Sequence, residues 1–206
     1  MTGAVRPRQR GDLTRKGEQT RDRIAAAAAE LMLDAGVAGT TMEDVRVAAG
    51  VSSSQIYHYF ADKQALVRAV IELQADRIMA MHEPVLTAID GLDGLRAWRD
   101  MIVAQQRSVH CRGGCPLGSL GSELADGDEP ARLDVAAGFG RWEAAITNCL
   151  RQMHARGQLG PGADPDDLAI ATLAALQGGL LLTQIEKDTR PLEKALDAMI
   201  GLIGRA

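Results

Sequence analysis

Half of the aromatic residues of this chain lie within four consecutive positions. Tyr57, Tyr59 and Phe60 are three of only six aromatic residues in 206. They follow closely on the run 52–55, which reads Ser-Ser-Ser-Gln, and His58 stands among them. Hydroxyl, amide and imidazole groups donate and accept hydrogen bonds, so these side chains can reach phosphate oxygens and base edges of a nucleic acid.

Two capping signals and one glycine set the elements that would carry this segment. Thr40 followed three residues later by Glu43 predicts a capping box, and Ser52 followed by Gln55 predicts a second one. Gly50, between the two, can take the left-handed backbone conformation of a tight turn. The pattern predicts two short helices joined by that turn, which is the layout of a helix-turn-helix.

Apolar spacing indicates what these short helices pack against. A stripe at the helical period runs through a first helix of about 16–35, which Gly36 ends. Ile56 and Phe60 lie four residues apart and are expected to anchor the third helix on the first. Asp62 is expected to cap a longer fourth helix. Further helices are predicted at about 92–109, 117–124, 130–156, 166–185 and 191–203.

Composition and charge fit an all-helical globular chain with a basic end. Hydrophobic residues make up 46% and charged residues 24%, and no stretch alternates like a strand. The net charge is −4, yet residues 1–68 carry ten Lys and Arg against eight Asp and Glu. We therefore expect a disordered basic arm over 1–16 and a contact with phosphates at this end of the chain.

The segment of about 18–68 resembles the N-terminal domain of TetR-family transcriptional repressors. The resemblance rests on three runs, which are Gly39-Thr40-Thr41, Val45-Arg46-Val47-Ala48-Ala49-Gly50-Val51-Ser52 and Ile56-Tyr57-His58-Tyr59-Phe60-Ala61-Asp62-Lys63-Gln64-Ala65-Leu66. It departs from the family at Ser54, where many members have Gly. The resemblance implies an all-α fold, with a DNA-binding domain over 17–64 and a helical effector-binding and dimerisation domain over 65–206.

Chemistry and resemblance together predict which side chains meet DNA. The Tyr57 hydroxyl and the Lys63 ammonium suit phosphates, and the start of the second helix favours an anion. Ser54, Gln55 and His58 are placed for base edges, with Gln55 suited to adenine. The predicted DNA-binding residues are Thr41, Ser52, Ser53, Ser54, Gln55, Tyr57, His58, Tyr59 and Lys63.

The C-terminal part is expected to hold a small-molecule effector. The run 114–124 is similar to a segment of the LmrA/YxaF-like subgroup of the same family. The family resemblance implies a helical cavity whose low charge favours an apolar or aromatic ligand. The expected lining residues are Met79, Trp98, Met101, Ile102, Cys115, Phe139, Trp142, Ile146 and Gln177.

The last two helices are expected to form a homodimer. The stretch from Leu168 to Ile185 has eighteen residues without a charge, and Gly178-Gly179 permits close helix approach. A buried interface helix explains this stretch better than a membrane span, because it stands alone and lacks flanking aromatic residues. The implied partners are double-stranded operator DNA, an effector of unknown identity and a second copy of the chain, with no membrane.

Three cysteines leave one alternative open. Cys111 and Cys115 are best explained as buried small apolar residues beside the Gly113-Gly114 turn. The open alternative is a thiol sensor whose pKa the nearby Arg112 lowers, or an enzyme or redox protein built on a helical bundle. A structural zinc site needs four ligands, and the sequence has no second Cys or His pair at suitable spacing. The sequence also shows no catalytic constellation or cofactor motif. A DNA-binding activator without an effector is a further hypothesis. Cysteine usage indicates the cytoplasm.

Overall fold

The computed structural model describes residues 13–160 and 162–205, and these residues form nine helices and no strand. The helices are α1 (Arg15–Gly39), α2 (Met42–Ala48), α3 (Ser53–Tyr59), α4 (Lys63–Ala88), α5 (Leu92–Ser108), α6 (Pro116–Leu124), α7 (Glu129–Ala155), α8 (Pro165–Glu186) and α9 (Arg190–Ile203). The predicted all-α fold is confirmed, and most helix ends fall within two residues of their predicted positions. The capping, glycine and proline signals account for this agreement.

The chain divides into two compact units. The first comprises the chain up to Ala75 together with Ser119–Ala136, and the second comprises Asp76–Gly118 together with Ala137–Ala206. Three helices, α4, α6 and α7, therefore each contribute residues to both units.

The core of the first unit is built on α1 to α4. Ile24 of α1, Val45 of α2 and Ile56 of α3 are each at most 1% exposed, as is Phe60. The guanidinium of Arg21 lies 5.2 Å from the centre of the Phe60 ring, which ties the end of α3 to α1. The expected anchoring of the third helix on the first is therefore present.

Two predictions at the start of the chain need correction. The expected capping box at Thr40 and Glu43 is shifted by one residue, because Thr41 caps α2 and Asp44 completes the box. Thr40 is instead buried, and its hydroxyl donates to the Gly36 carbonyl at 2.9 Å. The predicted arm of 1–16 lies outside the described residues over 1–12, whereas Arg15 and Lys16 belong to α1 behind the N-cap Thr14.

The second unit is organised around the pair α8 and α9. Asp164 caps α8, and Pro165 occupies its first turn. Gly179 is buried in α8, and a Cβ added there would lie 2.9 Å from the Cα of Leu192 in α9. By length and composition α8 is the one helix among the described residues that could cross a membrane, but 39% of its apolar window is buried, and core helices share these properties.

The close approach of α8 and α9 predicts a strong effect of one methyl group. We expect Gly179→Ala to lower the free energy of unfolding by about 1–2 kcal/mol, because overpacking against the Leu192 backbone outweighs the gain in helix propensity. Gly140→Ala is the control, since a Cβ there would meet nothing within 4 Å. Urea unfolding should show that Gly140→Ala leaves the free energy of unfolding unchanged or raises it. Equal free energies of unfolding for the two variants would contradict this packing.

Candidate nucleic-acid interface

The start of α2 is fixed by a reciprocal cap. The Asp44 backbone N–H donates to the Thr41 hydroxyl at 3.2 Å, and the Thr41 N–H donates to the Asp44 carboxylate at 2.9 Å. The Thr41 hydroxyl also donates to that carboxylate at 2.6 Å. These hydrogen bonds from Thr41 lower the pKa of Asp44 below its ordinary value. Both polar groups of Thr41 are therefore already engaged within the helix cap.

Arg46 holds α2 against the beginning of α3. Its Nε and Nη2 donate to the two carboxylate oxygens of Glu43 at 2.7 and 2.6 Å, and this pairing lowers the pKa of Glu43. Its Nη1 donates to the Val51 carbonyl at 3.2 Å, across the turn made by Gly50 at φ 62°. The sequence interpretation did not single out Arg46. The three-residue spacing from Glu43 was the available signal.

The start of α3 carries the second predicted cap. The Gln55 N–H donates to the Ser52 hydroxyl at 3.2 Å, and the Ser52 N–H donates to the Gln55 side-chain oxygen at 2.9 Å. The hydroxyls of Ser52 and Ser54 lie 3.0 Å apart, within hydrogen-bonding distance. A two-point contact of Gln55 with adenine needs both its amide oxygen and its amide nitrogen. Gln55 would therefore have to leave the cap to make that contact.

The remaining residues of the predicted set differ in exposure. Tyr57 is 55% exposed, and Ser53 is exposed beside it on α3. His58 and Tyr59 are half-buried and meet edge to face, with ring centres 5.0 Å apart. Lys63, also half-buried, opens α4 directly after Asp62, whose carboxylate accepts the Ala65 N–H at 2.8 Å. The exposed surface at α3 is thus formed by Ser53, Ser54, Gln55 and Tyr57, next to the N-cap Ser52.

A buried aromatic cluster occupies the second unit. The Trp98 indole N–H donates to Nδ1 of His82 at 3.0 Å, and the His82 ring centre lies 4.5 Å from that of Trp142. Burial lowers the pKa of His82 to about 4, so the imidazole is neutral at pH 7. The Trp142 indole nitrogen is buried and has no hydrogen-bond partner among the described residues. His82 was not predicted, because nothing in the local sequence links it to Trp98.

All nine residues predicted to line an effector cavity belong to the second unit. Met79, Trp98, Ile102, Cys115, Trp142 and Ile146 are buried, whereas Met101, Phe139 and Gln177 are half-buried. Trp98 and Trp142 meet through His82, and the Gly118 N–H donates to Sγ of Cys115 at 3.4 Å. The buried Gln177 amide nitrogen has no partner among the described residues.

All three cysteines are buried, and burial shifts the pKa of two of them. Cys111, Cys115 and Cys149 form no disulfide with one another. Burial raises the pKa of Cys115, and it raises that of Cys149 to about 11. Since the thiolate is the reactive form, these shifts contradict the expectation of a lowered pKa at Cys115. In the part of the chain that the structure describes, no three His, Cys, Asp or Glu residues form a metal-sized cluster.

Comparison with known proteins gives matches over nearly the whole chain. An uncharacterized HTH-type transcriptional regulator of Mycobacterium tuberculosis is 29% identical over 177 residues, which cover 84% of this chain and 88% of that protein. The HTH-type transcriptional repressor NemR of Escherichia coli is 26% identical, over 89% and 94%. The HTH-type transcriptional regulator LmrA of Bacillus subtilis is 23% identical, over 84% and 90%.

A solved structure and two family descriptions agree with these relatives. A TetR transcriptional regulator from Chloroflexus aurantiacus superposes with a TM-score of 0.79 at 28% identity, covering 92% of this chain and 96% of its own. Residues 24–70 match the family described as bacterial regulatory proteins, tetR family. Residues 91–199 match the tetracyclin repressor-like C-terminal domain. This chain therefore belongs to the TetR family of transcriptional regulators.

Proposed function

We propose that this chain is a homodimeric repressor that binds a near-palindromic operator and is released by a small apolar or aromatic effector. The observation that carries the proposal is α3, a seven-residue helix capped at Ser52 and exposed at Ser53 and Tyr57. A helix of this length can enter the major groove, where its N-terminal residues contact phosphates and base edges. The proposed place of action is the cytoplasm.

Within this proposal the side chains divide between positioning and base recognition. Tyr57 and Lys63 bind phosphates. The backbone N–H groups in the first turns of α2 and α3, which follow the N-caps Thr41 and Ser52, also favour phosphates. Ser53 joins these contacts at the start of α3. Ser54, Gln55 and His58 approach base edges, and Tyr59 supports His58 through their ring contact. To bind a base, the Gln55 side chain gives up the hydrogen bond that it accepts from the Ser52 N–H. The loss of this capping bond offsets part of the free energy gained from the base contact.

An exposed apolar face on α8 supports the homodimer. Ile170, Leu181, Leu182 and Ile185 are 52%, 56%, 46% and 66% exposed, and helical periodicity places them along one side. Leu202 of α9 is exposed as well. Burying such a face against a second copy removes apolar surface from water and gives a twofold arrangement, which a near-palindromic operator matches.

The aromatic cluster of the second unit supports the effector class. Trp98, Trp142 and a neutral His82 present aromatic surface without charge, so an apolar or aromatic molecule fits this region better than an ion. Among the described residues the Trp142 indole nitrogen has no hydrogen-bond partner, which favours a ligand that carries a hydrogen-bond acceptor. The effector releases DNA if it binds more tightly to a state in which α4 has shifted and the two reading heads are differently spaced.

The phosphate roles predict two different salt responses. We expect Tyr57→Phe to weaken binding to a random-sequence duplex by roughly fivefold, because each protomer loses one neutral hydrogen bond. Lys63→Ala should also weaken binding, and it should reduce the slope of log affinity against log salt by about one per protomer. Fluorescence anisotropy over a salt series measures both quantities.

Ser108→Ala is the control for Tyr57→Phe, since it removes one exposed hydroxyl from α5. It should leave affinity and slope unchanged. Wild-type affinity for both the Tyr57 and Lys63 variants would contradict the proposed contacts.

The dimer proposal predicts a position-specific effect of charge. We expect Leu181→Glu to shift sedimentation from dimer to monomer at micromolar concentration, because a carboxylate would be buried in the interface. Leu133→Glu provides the matched control, since Leu133 is a similarly exposed leucine on α7, at 53% against 56%. A dimer that tolerates the α8 substitution as well as the control would exclude this face as the interface.

A further inference from the structure

The junction between α1 and α2 has a backbone geometry that only glycine adopts easily. Gly36 lies at φ 74° and ψ 167°, and it interrupts the helical hydrogen bonding of α1. Five residues later Thr41 caps α2. Within the junction, the Thr40 hydroxyl and N–H donate to the carbonyls of Gly36 and Val37. The position of α2 therefore depends on how firmly this short segment is held.

A carboxylate from α6 holds this junction. The Val37 N–H donates to one oxygen of Glu123 at 2.8 Å, and the Ala38 N–H donates to the other at 2.7 Å. Because Gly36 breaks the helix, these two N–H groups begin a new turn and lack helical carbonyl partners. Glu123 supplies both partners from 86 and 85 residues away, and its negative charge strengthens both bonds.

The space beside Gly36 is fitted to this carboxylate. A Cβ at position 36 would lie 3.2 Å from Oε2 of Glu123, closer than most real Cβ contacts. Glycine is thus favoured twice at this position, once by its backbone angles and once by the approach of Glu123. This agreement indicates that the glycine and the glutamate form one structural feature.

We propose that Glu123 is a positioning residue for DNA binding, and this proposal rests on the proposed function. Glu123 touches no DNA in this scheme. It fixes the junction 36–41, which places the cap of α2 at Thr41, and Arg46 of α2 in turn holds the Val51 carbonyl before α3. Loss of the carboxylate makes the positions of α2 and α3 less fixed in the free protein. The conformational entropy lost when DNA orders these helices then lowers the affinity.

Electrostatics alone predicts the opposite sign, which makes the test sharp. Removing a negative charge from a DNA-binding protein should tighten its binding to duplex DNA or leave it unchanged. We instead expect Glu123→Ala to weaken binding to a random-sequence duplex by roughly fivefold to tenfold. Glu123→Gln should restore part of this loss, because its single amide oxygen can still accept a hydrogen bond. The effect is limited because the Glu123 side chain is exposed and competes with water.

The experiment combines DNA affinity by anisotropy with amide hydrogen exchange resolved by NMR. In the unbound Glu123→Ala protein, the Val37 and Ala38 amides should exchange about tenfold faster than in the wild type, with the α8 amides unchanged. Glu129→Gln is the matched control. It removes a glutamate charge from α7, where Glu129 pairs with Arg132, and should bind DNA as the wild type does or more tightly.

Two results would overturn the inference. One is a Glu123→Ala protein that binds DNA as tightly as the wild type, and the other is weaker binding with normal protection at Val37 and Ala38. If Glu123→Ala does not fold, the same two readouts on Glu123→Gln decide the question. A wild-type protein that fails to bind any duplex at low salt would instead overturn the proposed function, and this role with it.

Discussion

A seven-residue helix cannot hold its own shape in water, and the first unit depends on overcoming this limit. Isolated helices shorter than about 12 residues are marginal even in favourable sequences. The chain stabilises α3 from three directions. Ser52 and Gln55 close its N-terminus, Ile56 and Phe60 bury its inner face, and Arg46 holds the residue before the cap. The exposed polar side chains are thus carried by a helix that is already formed, so little backbone entropy has to be lost on binding.

The same requirement extends backwards along the chain to α2 and α1. The helix α2 also has only seven residues, and its cap at Thr41 follows the junction 36–41. Gly36 bends this junction, and the Glu123 carboxylate accepts hydrogen bonds from two of its N–H groups. The second unit meets a different requirement, since it buries two indole rings and a neutral imidazole, and the Trp142 indole nitrogen has no hydrogen-bond partner among the described residues.

Local signals in the sequence predicted most of the fold. Caps, glycines and prolines act over four or five residues, so they placed the helix starts after Asp62 and at Pro165 well, and Gly36 marks a break inside α1, which ends three residues later at Gly39. The one-residue error at Thr40 has a tertiary cause. Both Thr40-x-x-Glu43 and Thr41-x-x-Asp44 satisfy the local rule, and burial of the Thr40 side chain decides between them.

The candidate site was less accessible to such reasoning. Residue types identified the polar face of α3, but Glu123 and His82 act on partners 86 and 16 residues away, which no local pattern reveals. Cys111 and Cys115 are buried, as the preferred explanation of these residues required, and burial raises the pKa of Cys115 instead of lowering it.

Selection of random duplex DNA by the purified protein, followed by sequencing of the bound pool, is the decisive test of dimeric operator binding. We expect enrichment of one motif made of two inverted half-sites with a fixed spacing, since two copies of α3 related by a twofold axis would read it. Enrichment of no sequence at low salt by a folded protein, or of a single half-site by a monomer, would contradict it.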